Sequence, residues 1–138
     1  MRVIVFVKAT ADSEAAVMPT PEALAEMGKF NEALADAGIL VGGDGLKPTK
    51  HAVRVAFNGA ERTVIDGPFT ETKEIVAGYW LWEVKDMAEA IEWVKRCPNP
   101  MPGPSDIDIR PLYEMSDFGD AVTEDVTEIF DRVRAKST

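Results

Sequence analysis

The chain has 138 residues, of which 46% are hydrophobic and 28% are charged, values that suit one globular domain with its own core. Asp and Glu outnumber Lys and Arg by 24 to 15, so the formal charge is −9. Because this surface repels phosphate groups and no basic stripe opposes it, we expect no nucleic-acid binding and no attachment to anionic membranes.

The N-terminal segment and the cysteine content set the expected compartment. Val3 to Val7 is an apolar run much shorter than the core of a signal peptide, and its β-branched residues are typical of a buried strand. No apolar stretch reaches the length of a transmembrane helix, so we expect a cytoplasmic protein. Cys97 is the single cysteine, which excludes an internal disulfide. Cys97 follows a predicted helix, and the C-terminal end of a helix carries partial negative charge, which disfavours the thiolate. We therefore expect an unreactive thiol.

The residue pattern predicts strands and helices in alternation. In chain order these are a strand at 3–7, a loop at 9–20, a helix at 21–37, a strand pair at 52–57 and 62–65, a strand at 75–84, a helix at 86–96 and a strand at 106–113. Thr20 is the expected N-cap of the first helix and Gly38 its end. Asn58-Gly59 predicts a hairpin whose loop includes Ala60 and Glu61. We interpret Gly42-Gly43-Asp44-Gly45 as a turn, because it lacks the Lys-Ser/Thr of a phosphate loop.

This order predicts an α+β fold over residues 1–119, a ferredoxin-like split β-α-β sandwich with an antiparallel sheet. An apolar stripe from Val122 to Val133 predicts an extra helix in the remaining residues, 120–138. We expect this C-terminal helical extension to pack either on its own domain or on a dimer partner.

The strand at 75–84 is apolar on both faces. One face carries Ile75, Ala77, Tyr79 and Leu81, and the other carries Val76, Trp80, Trp82 and Val84. Since one layer of helices covers only one face of a sheet, the second face needs a cover, or a patch of two tryptophans would lie in water. We expect a second subunit there, sheet against sheet, which makes the protein a homodimer. The alternative is that the C-terminal helix covers this face alone.

The segment from Asp66 to Glu74 combines a turn, the core anchor Phe69 and four charges. Gly67 permits the turn and Pro68 fixes the exit of the chain. Asp66 is a candidate acid or base at the rim of a pocket. The alternative is a turn former whose carboxylate accepts backbone N–H groups.

Other candidate site residues lie in or beside the predicted strands. His51 is the single histidine, a residue type often used in acid–base chemistry, but no partner for it is evident. Arg54 and Arg110 are candidate ligands for an anionic small molecule, with an ion pair to Asp108 or Asp66 as the alternative. With one His and one Cys the chain has no His/Cys metal site, and we expect no metal and no cofactor.

Several segments together resemble one family. The stretch from Asp66 to Glu74 resembles the hallmark motif of the DGPF proteins, a branch of the YCII-related family. Further likeness lies in Val7-Lys8-Ala9-Thr10 with Ser13-Glu14, in the stretch from Gly42 to Pro48, in the stretch from Glu92 to Pro100, and in Ile109-Arg110 with Asp117-Phe118-Gly119. The resemblance covers residues 1–119 and implies a dimeric α+β barrel. Relatives of that fold include isomerases, decarboxylases and monooxygenases that act on small molecules at a pocket between sheet and helices.

Two functional expectations follow from the residues and the resemblance. The first is a small-molecule-binding homodimer whose groups suit acid–base catalysis without a metal, with Asp66 as the base and with Arg54, Arg110, His51, Trp80 and Trp82 as ligand-binding candidates. The second is a non-catalytic regulatory or interaction protein, since many DGPF proteins are encoded beside alternative sigma factors. The YCII branch itself carries a His-Asp pair suspected of catalysis, but His51 is not in the early-helix region where that histidine is expected.

Overall fold

The computed structural model describes residues 1–137, except for the side chain of Thr72. Its elements, in chain order, are strand β1 (Arg2–Lys8), helix α1 (Ala11–Glu14), helix α2 (Pro21–Asp36), strand β2 (Leu40–Gly45), strand β3 (Val53–Asn58), strand β4 (Glu61–Asp66), strand β5 (Val76–Glu83), helix α3 (Met87–Arg96), strand β6 (Ile107–Pro111) and helix α4 (Glu124–Lys136). Short 3-10 segments cover Thr49–His51, Thr72–Glu74 and Met115–Ala121.

Four strands form one antiparallel sheet in the order β2-β5-β1-β6. Helix α2 connects β1 to β2, and helix α3 connects β5 to β6. Both helices contribute residues to the same core, so they lie on the same face of the sheet. Two interleaved β-α-β units of this kind make the ferredoxin-like arrangement, which confirms the predicted α+β fold.

Strand β2 differs from the prediction. It contains Gly42-Gly43-Asp44-Gly45, the stretch interpreted as a turn, and it pairs with β5 at the edge of the sheet. A Cβ atom at Gly43 would lie 2.7 Å from the carbonyl oxygen of Tyr79 and 2.8 Å from Cδ1 of Trp80. The glycine run is therefore a strand that passes close beside a tryptophan. Sequence reasoning missed it because glycine is depleted in strands in general.

Strands β3 and β4 form a separate hairpin, which we call the β3–β4 arm. Asn58 pairs with Glu61, so the loop is only Gly59-Ala60 and is shorter than predicted. The arm is an insertion between β2 and β5, not part of the four-stranded sheet. One of its faces carries apolar residues that are 47% to 72% exposed, namely Val53, Val55, Phe57 and Val64.

Capping side chains explain where the helices begin. Thr20 Oγ1 accepts a hydrogen bond from the Ala23 N–H at 3.1 Å, which confirms the predicted N-cap of α2. Gly38 ends that helix with a φ of 74°. The segment predicted as a loop at 9–20 contains the short helix α1, because Thr10 and Ser13 satisfy each other's backbone N–H groups in a capping box.

The hydrophobic core lies between the sheet and helices α2 and α3. Trp80 and Trp82 of β5 belong to it, together with Phe30 and Leu34 of α2. The ring of Phe30 meets both indoles edge-on, with centroids 5.8 Å from Trp80 and 6.4 Å from Trp82. The tryptophan face is therefore covered by the helices of its own chain, so these two side chains need no second subunit to shield them.

The opposite face of the sheet, which we call the open face, is not covered by helices α2 and α3. Ile4 and Phe6 of β1 lie there beside Tyr79 and Leu81 of β5. All four side chains are half-buried within this chain. Arg110 of β6 lies opposite Ile4 on the same face and is exposed.

Helix α4 lies beyond β6 and exposes its apolar stripe. Ile129, Phe130 and Val133 are 49%, 48% and 55% exposed, and the helix has no buried residue. The stripe is therefore not part of the core. Among the described residues, none of the helices combines the length and the apolar character that crossing a bilayer requires.

Candidate functional site

A cleft of about 1110 Å³ lies between helix α2, strands β2 and β5, and the segments at 12–20 and 98–102. Most of its wall is apolar. Leu24 and Met27 of α2, Trp80 of β5 and Met101 of the proline-rich loop all line it. Ligand sites for small organic molecules are typically concave, mostly apolar and equipped with a few placed polar groups.

One hydrogen bond orients a polar group in this cleft. The Nε1–H of Trp80 donates to Oδ1 of Asn31 over 2.8 Å, and both residues line the cleft. Because an indole N–H can only donate, Asn31 must turn its amide oxygen toward the ring. The amide NH2 of Asn31 is thereby held in one orientation as a donor.

Charged side chains lie around the mouth of the cleft. Asp12, Glu26, Asp44 and Lys47 line it, and all four are exposed. Glu26 also lies 4.0 Å from Nζ of Lys29, one turn further along α2. Lys47 is the one cation among the described lining residues, so carboxylates dominate the charge at this opening.

The segment from Asp66 to Glu74 forms a corner at the base of the β3–β4 arm. The N–H of Gly67 donates to the carbonyl oxygen of Ala52 over 2.9 Å. A Cβ atom at Gly67 would overlap the carbonyl oxygen of Thr49. Gly67 is not among the residues with positive φ, so close approach of the two backbones is what requires glycine here.

Thr49 ties this corner to the N-terminal part of the chain. Its hydroxyl accepts a hydrogen bond from the Phe69 N–H at 3.0 Å and donates one to the carboxylate of Glu14. The same carboxylate accepts the backbone N–H of Thr49 at 3.1 Å. Because Thr49 is buried, these bonds satisfy polar groups that water does not reach. The network joins helix α1 to the base of the arm.

Three of the residues predicted as site residues lie at this base. Asp66 ends β4 opposite Val53 and is exposed. The guanidinium of Arg54 lies 4.0 Å from the ring centroid of Phe69, so its partner is an aromatic ring and not a carboxylate. His51 ends a 3-10 segment before β3 and is also exposed. None of the three lines the cleft.

Arg110 and Trp82 lie in two other places. Arg110 is on the open face, and Asp108, the partner considered for it, lies 3.7 Å from Nζ of Lys8 instead. Trp82 is fully buried in the core, and its Nε1–H has no hydrogen-bond partner among the described residues. Of the site residues predicted from sequence, Trp80 alone lines the cleft.

Cys97 follows helix α3 and is partly buried. Its Sγ–H donates to the carbonyl oxygen of Pro98 over 3.2 Å. Burial raises the pKa of the Cys97 thiol from 9.0 to about 11, which keeps it protonated near neutral pH. Within residues 1–137, no group of three or more His, Cys, Asp or Glu side chains is arranged to hold a metal ion.

Sequence reasoning did not select Asn31, although the sequence contains a signal for it. Asn31 stands four residues after Met27 and three before Leu34, so it interrupts the apolar stripe of α2. A polar side chain on a core-facing stripe needs a hydrogen-bond partner. The indole of Trp80 is that partner, which a one-dimensional pattern cannot identify.

Comparison with known proteins assigns the chain to a family. The family model of the YCII-related domain matches residues 1–115, a range that contains strands β1 to β6 and excludes helix α4. The chain is also 34% identical over 67 residues to an uncharacterized protein of Rhizobium meliloti (strain 1021). That segment covers 49% of this chain and 54% of the relative, so the match spans about half of each protein. The chain belongs to the YCII-related family.

Proposed function

We propose that this protein binds a small organic molecule in the cleft beside Trp80. The observation that carries the proposal is the cleft itself, about 1110 Å³ of mostly apolar space that contains one oriented amide donor. Burial of the ligand against Trp80, Met27 and Leu24 supplies affinity, and Asn31 sets its orientation. The acid–base role predicted for Asp66 is not included, because Asp66 does not line the cleft.

We further propose that the functional unit is a homodimer paired through the open face. Ile4, Phe6 and Leu81 give that face a half-buried apolar surface which the core helices, on the other face, do not cover. Exposed apolar surface of this kind commonly marks a protein interface. The segment from Asp66 to Glu74 resembles the hallmark motif of the DGPF branch, and that resemblance implies a dimeric α+β barrel.

A thermal-shift screen with a metabolite library tests ligand binding in the cleft. A ligand that binds the native state raises the melting temperature. Ala23→Trp places an indole in the cleft and is expected to abolish the shift, because Ala23 lines it. Ala25→Trp is the matched control, since Ala25 is exposed on the same helix and does not line the cleft. Compounds that raise the melting temperature of both variants equally would show that the cleft is not the binding site.

A second candidate function, a regulatory interaction protein, is favoured by the exposed stripe of helix α4. Ile129, Phe130 and Val133 form an apolar surface that a helical or grooved partner would bury. A pull-down with the native chain and with Phe130→Glu tests this candidate. A partner retained by the native chain and lost by the variant supports it, whereas recovery of no partner by the native chain contradicts it.

A further inference from the structure

The polar groups of the cleft select the chemistry of its ligand. The Trp80 indole donates to Oδ1 of Asn31 over 2.8 Å, which fixes the orientation of the amide and leaves its NH2 group as the donor. Among the hydrogen bonds made by the described residues, none takes that NH2 group to a protein acceptor. A ligand that displaces water from the cleft must therefore accept from Asn31, or leave a donor unpaired at a cost of about 1–3 kcal/mol.

The charges around the cleft disfavour an anionic ligand. Asp12, Glu26 and Asp44 line the opening, and Lys47 is the one cation among the lining residues that the structure describes. Arg54 and Arg110, the residues predicted to clamp an anion, lie at the base of the arm and on the open face. An anion would find no guanidinium to pair with among the described lining residues, and the exposed carboxylates, which water screens, add a weak repulsion.

A purely cationic ligand is disfavoured for a different reason. An ammonium or amidinium group has donors and no acceptor, so it cannot accept a hydrogen bond from the NH2 group of Asn31. The exposed carboxylates at the mouth offer such a cation little net stabilisation, because water screens them.

We infer that the cleft binds an uncharged, mostly apolar molecule whose carbonyl oxygen accepts a hydrogen bond from the side-chain amide of Asn31. This inference rests on the proposed function and names its ligand class, apolar carbonyl compounds such as amides and ketones. The apolar body packs against Trp80 and Met27, and the carbonyl group points toward Asn31.

Three probes of equal size and shape test the ligand class. Benzamide is uncharged and carries a carbonyl acceptor, benzoate is its anionic counterpart, and benzamidine is its cationic counterpart without an acceptor. Titrations are followed through the indole N–H signal of Trp80 in proton–nitrogen NMR spectra, with the signal assigned from a Trp80→Phe variant. We expect benzamide to bind about fivefold more tightly than benzamidine, the effect of one neutral hydrogen bond. Benzoate keeps an acceptor but meets the carboxylates of the cleft without a guanidinium partner, so we also expect it to bind more weakly than benzamide.

The variant Asn31→Asp tests the role of the amide. A carboxylate keeps an oxygen acceptor for the indole of Trp80 and removes the donor, so the core contact is retained. Benzamide is expected to weaken about fivefold, and benzamidine becomes the preferred probe because its amidinium donates to the new carboxylate. If Asn31 only supported Trp80, the variant would bind benzamide as tightly as the native protein does, and the inference would be wrong.

The two proposals fail in distinguishable ways. If the native protein prefers benzoate or benzamidine, the inferred ligand class is wrong. If Ala23→Trp then loses the binding of that preferred probe, the cleft is still a small-molecule site and the proposed function stands. If none of the three probes moves the Trp80 signal and the metabolite screen also gives no cleft-dependent hit, both the ligand class and the proposed function are wrong.

Discussion

Two glycines of this fold are required by neighbouring atoms that lie far away in the sequence. Gly43 passes beside the indole of Trp80, and Gly67 passes against the carbonyl oxygen of Thr49. The sequence predicted a turn at both stretches, because glycine readily adopts the backbone torsion angles that tight turns require. The responsible neighbours belong to other elements, so the true reason depends on tertiary structure.

Substitution of Gly67 is expected to destabilise the protein strongly. The new methyl group of Gly67→Ala would overlap the Thr49 carbonyl oxygen, and we expect a loss of about 2 kcal/mol or more in the free energy of unfolding. Gly28→Ala is the matched control, because Gly28 lies inside helix α2 with no atom within 4 Å of the added methyl group. It should gain about 0.5–1 kcal/mol. Urea unfolding checks both, and a Gly67→Ala variant as stable as the native chain would contradict the corner described above.

The thiol of Cys97 is expected to react slowly at neutral pH. Burial raises its pKa from 9.0 to about 11, so the thiolate fraction below pH 9 is about 100-fold smaller than for an unperturbed thiol. The rate of alkylation by iodoacetamide should keep rising toward pH 11 in the folded chain and should level off near pH 9 in urea. Equal rates in both states would show that the thiol is not shielded.

The helices of this chain follow from local sequence, whereas two strand features do not. Thr20 and Gly38 delimit α2 through capping, which residues near in sequence control. Strand β2 depends on pairing with β5, and its glycines carry no strand propensity. The sequence predicted the hairpin of the β3–β4 arm. It did not predict that the hairpin is separate from the main sheet, because that depends on which strands pair in the folded chain.

Removal of helix α4 should leave the core intact. A chain that ends at Val122 lacks no residue of the core, because α4 buries none. We expect the free energy of unfolding to change by less than about 1 kcal/mol, as for surface changes in general. By contrast, Phe30→Ala removes a buried ring that contacts three tryptophans and should cost about 3–5 kcal/mol. A large loss in the truncated chain would show that α4 packs on a second surface.

The predicted site residues fall in four separate places once the chain is folded. Asp66, Arg54 and His51 lie at the base of the arm, Arg110 lies on the open face, Trp82 lies in the core, and Trp80 lines the cleft. The family and the α+β fold were predictable because they rest on motifs and on the order of elements. A pocket is made by side chains that topology brings together, so the sequence identified one of its residues and missed Asn31.

The proposed homodimer makes a prediction about the mass in solution. The native chain should elute at twice its mass of 15.1 kDa in size exclusion with light scattering. Leu81→Lys places a charge on the open face and should yield a folded monomer, because an unpaired charge is costly in an interface. Ile91→Lys is the control, since Ile91 is exposed on α3 at the other side of the sheet. A monomeric native chain would contradict the dimer, and a dimeric Leu81→Lys variant would place its interface elsewhere.

A crystal structure of the protein with benzamide tests the central claim most directly. We expect the ring to pack against Trp80 in the cleft and the carbonyl oxygen to lie within hydrogen-bond distance of Nδ2 of Asn31, while Oδ1 still accepts from the indole. Benzamide bound at the base of the arm near Asp66 and Arg54, or a cleft that the chain's own side chains fill in the crystal, would contradict it.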